Sequence, residues 1–211
     1  MRLLLTAGPT REPIDRVRYI GNRSSGTLGA AIAGAARAAG HEVTTLLGPV
    51  GAEVVAACRE AGSVYRFESS AELGQLLEAH FRDADILVMA AAVADFRPVA
   101  PTEGKTARPS DPHARVSITL MPTPDLVARA ASSKRPGQRV IAFALEEQSV
   151  LEERALAKMR RKGVDAIIAN PLGTMEDSGI RATWMACNGE VVRLDRMSKQ
   201  AFAAWLLAKL G

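Results

Sequence analysis

The side chains best suited to chemistry in this chain are amide, hydroxyl and ammonium groups gathered in polar loops. Asn22, Arg23, Ser24, Ser25 and Gly26 form "GNRSSG", directly before a helical pattern. A neutral amide can donate to an oxyanion while its carbonyl accepts from a neighbour, which a carboxylate cannot do. Free N–H groups at a helix start, beside small residues, suit the approach of a phosphate-bearing molecule. Lys105 lies in a second loop, "PTEGKTAR", and Lys158 and Lys162 stand four apart on a predicted helix, so they share one face. Such cations hold polyphosphates and offset charge developing in a transition state, where one donor is worth roughly 3 kcal/mol. Each group also has an ordinary reading. Asn22 alone is a turn residue, Ser24 or Ser25 a helix N-cap, Lys105 a solvated cation, and the lysine pair a charged outer face.

Positioning these groups falls to alternating apolar runs and amphipathic stretches. Residues 3–7 read as a buried strand, 24–39 as a helix ended by Gly40, 42–47 as a strand, and 52–61 as a helix ended by Gly62. A short strand at 64–67, a helix at 71–81 and the strand "DILVM" at 85–89 follow. After a polar loop come "VSITL", a helix from about Pro124, "RVIAFA", a helix at 150–162 and "DAIIA". Short apolar runs punctuated by turns and alternating with helices imply βαβ units. The fold expected is a Rossmann-like α/β fold, with a mostly parallel sheet and helices on both faces. Near the end, two strand-like halves flank Asn188-Gly189, a type I′ hairpin signal, and the apolar strands near Trp184 offer a subunit contact. Residues 199–210 form a last amphipathic helix. No domain boundary is visible, so residues 1–211 read as one domain. The long loops are 8–23, 92–115 and 171–180. The first two follow predicted strands, at the edge where such sheets bind ligands.

Composition narrows the function classes. The 211 residues are 47% hydrophobic and 24% charged, with net charge +4. The longest basic run is Arg160-Arg161-Lys162, which argues against nucleic acid and fits small anionic substrates. Cys58 and Cys187 are far apart, as in a reducing cytosol, and His41, His80 and His113 have no metal-ligand spacing. No apolar stretch approaches a membrane span and the N-terminus lacks a signal-peptide pattern, so a cytoplasmic protein is expected. A nicotinamide enzyme is disfavoured. No G-x-G-x-x-G follows Ala7 closely, the second strand ends Leu47-Gly48 without an acidic residue, and at Tyr-x-x-x-Lys spacing Tyr19 meets Arg23 and Tyr65 meets Ser69.

The stretch "TAGPTREPIDRVRYIGNRSSGTLG" resembles the opening of the phosphopantothenoylcysteine synthetase (phosphopantothenate–cysteine ligase) family, and the resemblance continues in order through "AAAVADFRP", "TPDLV", "AFALEE" and "AKMRRKGVDAIIAN". It implies joining of 4′-phosphopantothenate to L-cysteine in coenzyme A synthesis, through an acyl-cytidylate formed from CTP with Mg2+. Asn22 matches the family asparagine associated with that intermediate, with Arg23, Ser24, Ser25 and Gly26 beside it at the substrate. The resemblance assigns nucleotide contacts to Met89, Ala90, Ala91, Asp95, Lys105, Pro124, Asp125, Leu126, Val127, Phe143, Lys158 and Lys162, with Lys105 on a flap that closes over triphosphate. It leaves the magnesium ligands unassigned, and Arg11, Arg18 and Arg23 are all candidates for the substrate phosphate. The family is dimeric, so a homodimer is implied. Its flavin-dependent decarboxylase partner has no room in 211 residues, which reads as a stand-alone synthetase.

This chain departs from the family pattern in places. Ala107 and Arg108 stand where two flap lysines are expected, Thr27 replaces a frequent lysine, Ala142 a glycine, and Glu147 a threonine. A negative Glu147 near triphosphate either points away or meets magnesium. Two other readings stay open: the same reaction with ATP, or a nucleotide-binding relative without ligase activity. Retention of Asn22, Lys105, Lys158 and Lys162 together speaks against the latter.

Overall fold

A computed structural model describes residues 1–111, 113–174 and 179–211. In chain order the elements are β1 (Arg2–Ala7), β2 (Arg11–Pro13), β3 (Tyr19–Gly21), α1 (Thr27–Ala38), β4 (Glu42–Leu47), α2 (Ala52–Ala61), β5 (Ser63–Arg66), α3 (Ser70–His80) and β6 (Ile86–Met89). Then follow β7 (Phe96–Pro98), β8 (Leu120–Pro122), α4 (Leu126–Ser132), β9 (Arg139–Glu146), α5 (Leu151–Lys162), β10 (Ala166–Pro171), β11 (Gly179–Ala186), β12 (Val191–Ser198) and α6 (Lys199–Leu210). Among the described residues one eight-stranded sheet has the order β12-β11-β10-β9-β6-β1-β4-β5. Strands β10, β9, β6, β1, β4 and β5 are mutually parallel, and β11 and β12 close the sheet antiparallel. The order of the six parallel strands is that of the doubly wound Rossmann sheet, with its switch point between β1 and β6.

The central strands are apolar on both faces because both are covered. Leu4, Leu87, Val140 and Ile167 pack with Leu73, Leu77, Leu126, Ala155 and Met159 of α3, α4 and α5. On the opposite face Leu3, Leu5, Val88, Ile141 and Ile168 meet Ile32 and Ala36 of α1 and Phe202, Leu206 and Leu210 of α6. Helix α2 joins that layer through Val54 and Cys58.

Several sequence expectations change. "VSITL" is not a sheet strand: β6 pairs directly with β9, leaving no slot for it, and only its Leu120 pairs, in a separate ribbon with β7. Val116, Ile118 and Leu120 are exposed. The first long loop holds a ribbon of its own, β2 with β3. The late hairpin turns through three residues, not two. The N–H of Gly189, at φ +88°, donates to Ala186 O at 3.0 Å, and the N–H of Ala186 donates to Glu190 O at 2.9 Å. Asn188 Oδ1 accepts from Glu190 N, which draws the turn one residue further. Within this hairpin Trp184 is itself buried, its ring edge-on to Trp205 of α6. Residues 175–178 of the expected 171–180 loop lie outside the described residues.

Helix α1 lies close on β1 because Gly29 has no side chain: a Cβ there would meet the Cβ of Ala7 at 2.3 Å. Gly34, on the same helix, faces open space. Alanine gains about 1 kcal/mol over glycine inside a helix, whereas overpacking costs about 1–3 kcal/mol. Gly34→Ala should therefore stabilise the fold by up to about 1 kcal/mol and Gly29→Ala destabilise it by about 1–2 kcal/mol net. Urea unfolding of the two variants checks this, and equal shifts would refute the close helix–strand contact.

Candidate active site

The loops leaving β1 and β6 are joined at the switch point. Ala92 N donates to Gly8 O at 2.9 Å, and Thr10 N donates back to Ala92 O at 3.1 Å. Buried threonines add side-chain bonds: Thr6 Oγ1 accepts from Ala91 N and Thr10 Oγ1 from Ala94 N. From the other side Thr123 Oγ1 donates to Ala94 O and Thr123 N to Asp95 O. Asn22 donates its Nδ2 to Val93 O at 2.9 Å. The segment 90–95 is thus held by backbone bonds, while the Asp95 side chain is exposed.

The missing glycine fingerprint is present but divided. Gly8 ends β1 at φ +82° and Gly26 opens α1 at φ +75°, and a Cβ on Gly26 would lie 3.6 Å from the Gly8 Cα. A Cβ on either glycine would meet Val50 at 2.8 Å. With Gly29 against Ala7, the three occupy the roles of tight turn, close backbone approach and helix–strand packing. The residues between Gly8 and Gly26 are an insertion whose ends touch. The signal was legible as Gly26-x-x-Gly29, but its first member is displaced by the insertion.

Ser24 and Ser25 do not cap α1. The N-cap is Gly26, which has no side-chain bond to offer, and no acidic residue occupies the first turn. Ser25 Oγ instead pairs with Thr27 Oγ1 at 3.0 Å, and Lys199 Nζ, from the start of α6, donates to Thr27 Oγ1 at 2.8 Å. Lys199 had no local signal, since it lies 172 residues from its partner.

Helix α5 holds both lysines already paired, Lys158 at the carboxyl end of β9 and Lys162 at the start of α4. Lys158 Nζ lies 2.5 Å from Glu146 Oε1, and Lys162 Nζ lies 2.9 Å from Asp125 Oδ1. Burial pushes both carboxyls up, but the hydrogen bonds and charges of Lys158 and Arg154 on Glu146, and of the Ala128 N–H and Lys162 on Asp125, outweigh it and hold both below their ordinary values. Asp125 is itself the N-cap of α4, accepting from Ala128 N, so Pro124 precedes the helix instead of opening it. The acidic group against Lys158 is Glu146, missed in the sequence; Glu147 is exposed. Strand alternation decides which of the two neighbours faces α5.

Other candidate residues spread over both faces. Met89 is buried, Ala90 and Ala91 are half-buried, and Leu126 sits in the core while Val127 is half-buried. Phe143 packs edge-on to Phe202 on the α1–α6 face, opposite the lysine pair. Lys105 is exposed, in a loop lying along residues 14–18. Of the three arginines, Arg11 stacks on Tyr19 with Glu68 at 4.0 Å, and Arg18 pairs with Asp15. Arg23 is exposed and has no ion-pair partner among the described residues. A cavity of about 560 Å³ between α3 and α4, bounded by Phe81, Leu126, Arg129 and Gln138, opens towards the amino end of β9, away from this edge.

Glu146 gives a pH prediction. Because its folded carboxyl is lowered, its stabilisation is complete above the ordinary glutamate value of about 4.3 and is lost as pH falls through the lowered folded value. Glu146→Gln should destabilise the fold at pH 7, and the gap from wild type should shrink as pH falls below about 4. Urea midpoints across pH 3–7 measure it; a gap independent of pH would rule out the ion pair as the source.

Comparison with known proteins places the whole chain. A cysteine/cysteine sulfinic acid decarboxylase from an unknown prokaryotic organism is 40% identical over 171 residues, covering 81% of this chain and 46% of that protein. The coenzyme A biosynthesis bifunctional protein CoaBC of Mycobacterium tuberculosis (strain ATCC 25618 / H37Rv) is 39% identical over 189 residues, 82% of this chain and 42% of that protein. The chain thus spans less than half the length of these relatives. The crystal structure of the C-terminal domain of a CoaBC protein superposes with a TM-score of 0.82 at 32% identity, covering 99% of this chain and 93% of that one. Residues 1–211 match throughout the family described as DNA/pantothenate metabolism flavoprotein C-terminal domain, and the chain belongs to that family.

Proposed function

We propose that this chain is a ligase of coenzyme A biosynthesis that joins 4′-phosphopantothenate and L-cysteine, working in the cytoplasm. The observation that carries the reading is the 2.9 Å hydrogen bond from Asn22 to Val93, which links the two most specific motifs, "GNRSSG" and "AAAVADFRP", across the switch point. Kinship with CoaBC proteins supports it.

In the proposed reaction the carboxylate of 4′-phosphopantothenate attacks the α-phosphorus of CTP, forming an O–P bond as pyrophosphate leaves. The cysteine amine then attacks the acyl carbon, the C–O bond breaks, and CMP departs as the amine gives up a proton. Asn22 uses one N–H on Val93 and retains a second N–H and its carbonyl for the acyl-cytidylate. Lys158 and Lys162 exchange their carboxylate partners for phosphate oxygens, and Lys105 covers the triphosphate and excludes water. CTP is preferred to ATP on the bacterial wording of "AAAVADFRP" together with the lysine pair. Magnesium is commonly held by one or two carboxylates together with phosphate oxygens, and Asp125 and Glu146, freed from their lysines, are the carboxylates that fit it; the ion would neutralise triphosphate charge. Arg23 and Lys199, which face no carboxylate among the described residues, are the cations assigned to the substrate phosphate. The homodimer is assigned to the ribbon surface, where Val17, Tyr19, Phe96 and Val99 are exposed.

Pyrophosphate release with magnesium, 4′-phosphopantothenate and cysteine, supplying CTP or ATP separately, tests the reading. Turnover is expected with CTP. Asn22→Ala should lower kcat by about 100-fold or more, and Asn22→Asp should do no better, because it sets a carboxylate oxygen against Val93 O. Arg23→Ala and Lys199→Ala should raise KM for 4′-phosphopantothenate more than KM for CTP. Turnover only with ATP would overturn the nucleotide, and folded protein without turnover would overturn the ligase.

A further inference from the structure

Asp15 is a buried carboxylate with a wholly covered side chain, in the turn between β2 and β3. Its two oxygens do different work. Oδ1 accepts from Val17 N and Arg18 N, both at 2.8 Å, and so shapes its own turn. Oδ2 accepts from Arg18 Nη1 at 3.0 Å and from Thr106 N at 3.2 Å, 91 residues away. The same Arg18 Nη1 donates to Thr106 O at 3.2 Å, so both halves of the Thr106 backbone are gripped. Thr102 N donates to Ile14 O and Arg16 N to Gly104 O. Among the described residues, every hydrogen bond from 100–110 to the rest of the chain goes to this turn.

Lys105 sits between the anchored Gly104 and Thr106, and its side chain makes no hydrogen bond or ion pair among the described residues. The backbone on either side is fixed while the ammonium is left available. We infer that Asp15 is a positioning residue: through Oδ2 it holds the Thr106 N–H and so sets the place from which Lys105 reaches the nucleotide. The inference rests on the reading of Lys105 as a triphosphate contact. A carboxylate is required because Oδ2 must accept from two donors, one of them cationic, and such charge-assisted bonds are the stronger kind. Asparagine at this position keeps an oxygen for Val17 and Arg18 but turns an NH2 group towards Thr106 and the guanidinium.

Asp15→Asn therefore breaks the hold on the flap and spares the turn. Hydrogen exchange should accelerate about tenfold or more at the Thr106 amide, with Val17 and Arg18 still protected. In the turnover assay KM for CTP should rise about tenfold, with KM for cysteine unchanged and saturated kcat within about twofold. Thr106→Pro removes the same bond from the flap side while leaving the Asp15–Arg18 pair intact. It should reproduce the KM effect, and the double variant should be no worse than either single one, because both delete one interaction. It also decides the matter if Asp15→Asn does not fold. Parallel loss of all kinetic constants, additive effects in the double variant, or a Thr106 amide that exchanges as in wild type would each overturn the inference. Lys105→Ala separates the two layers: full activity there overturns the role given to Lys105, while the exchange result still shows whether Asp15 holds the flap.

Discussion

The architecture of the site turns on a close approach: the chain leaves β1 at Gly8 and must return beside it at Gly26 to start α1. Both glycines have positive φ, and both would drive a Cβ into Val50. With the ends fixed in contact, the insertion between them is a closed excursion over the carboxyl edge of the sheet. Its cost grows only slowly with length, about 0.6 kcal/mol per doubling, so a long insertion is tolerated where a short dinucleotide turn would serve. The β2–β3 ribbon, the arginines, Asp15 and Asn22 all ride on that excursion. They reach the β6 loop because both loops start from neighbouring strand ends.

Electrostatics then separates the cations that hold a carboxylate from those that do not. Arg18, Lys158 and Lys162 each have a carboxylate partner, whereas Arg23, Lys105 and Lys199 have none among the described residues. The two classes suit different tasks. An ammonium paired with a half-exposed or buried carboxylate is already oriented, and its partner must be displaced or neutralised before it can serve a phosphate. An unpaired one carries more attraction for an arriving anion but is less ordered. Lys162 and Asp125 illustrate the first kind, and Asp125 is held as well by the Ala128 N–H of α4, a bond that does not depend on its lysine.

How far the sequence could be read follows from the range of each interaction. Residues 42–47, 52–61 and 199–210 are seen correctly to the residue because apolar period and flanking turns are local signals. "VSITL" has an equally good strand period, yet β9 occupies the neighbouring position, and no local pattern records that. Asn188-Gly189 carries the right turn residues, but Asn188 Oδ1 bonding to Glu190 N makes a three-residue loop. At the site, Asn22 and Lys105 stand out through the wording around them. Asp15–Thr106 and Lys199–Thr27 join residues 91 and 172 apart and leave no trace in spacing. The sequence does not distinguish Glu146 from Glu147, because which of two adjacent residues faces α5 is fixed by strand register alone.

Several of the contacts that tie the loops share a form: a side chain on one segment binding the backbone of another. Thr6, Thr10, Asn22, Asp15 and Thr123 each do so. Backbone acceptors are present whatever residue the other loop carries, and donors for every residue but proline, so the 90–95 and 100–110 segments can vary widely in side chain without losing their path. The 100–110 segment is held here through the Thr106 peptide, so the side chains of Lys105 and Ala107 on either side of it carry none of that hold. The converse is that the holding residues themselves are constrained in chemistry. Thr6 and Thr10 must accept, Asn22 must donate to a carbonyl, and Asp15 must accept four times over, a demand met by a carboxylate and by no neutral side chain of its size.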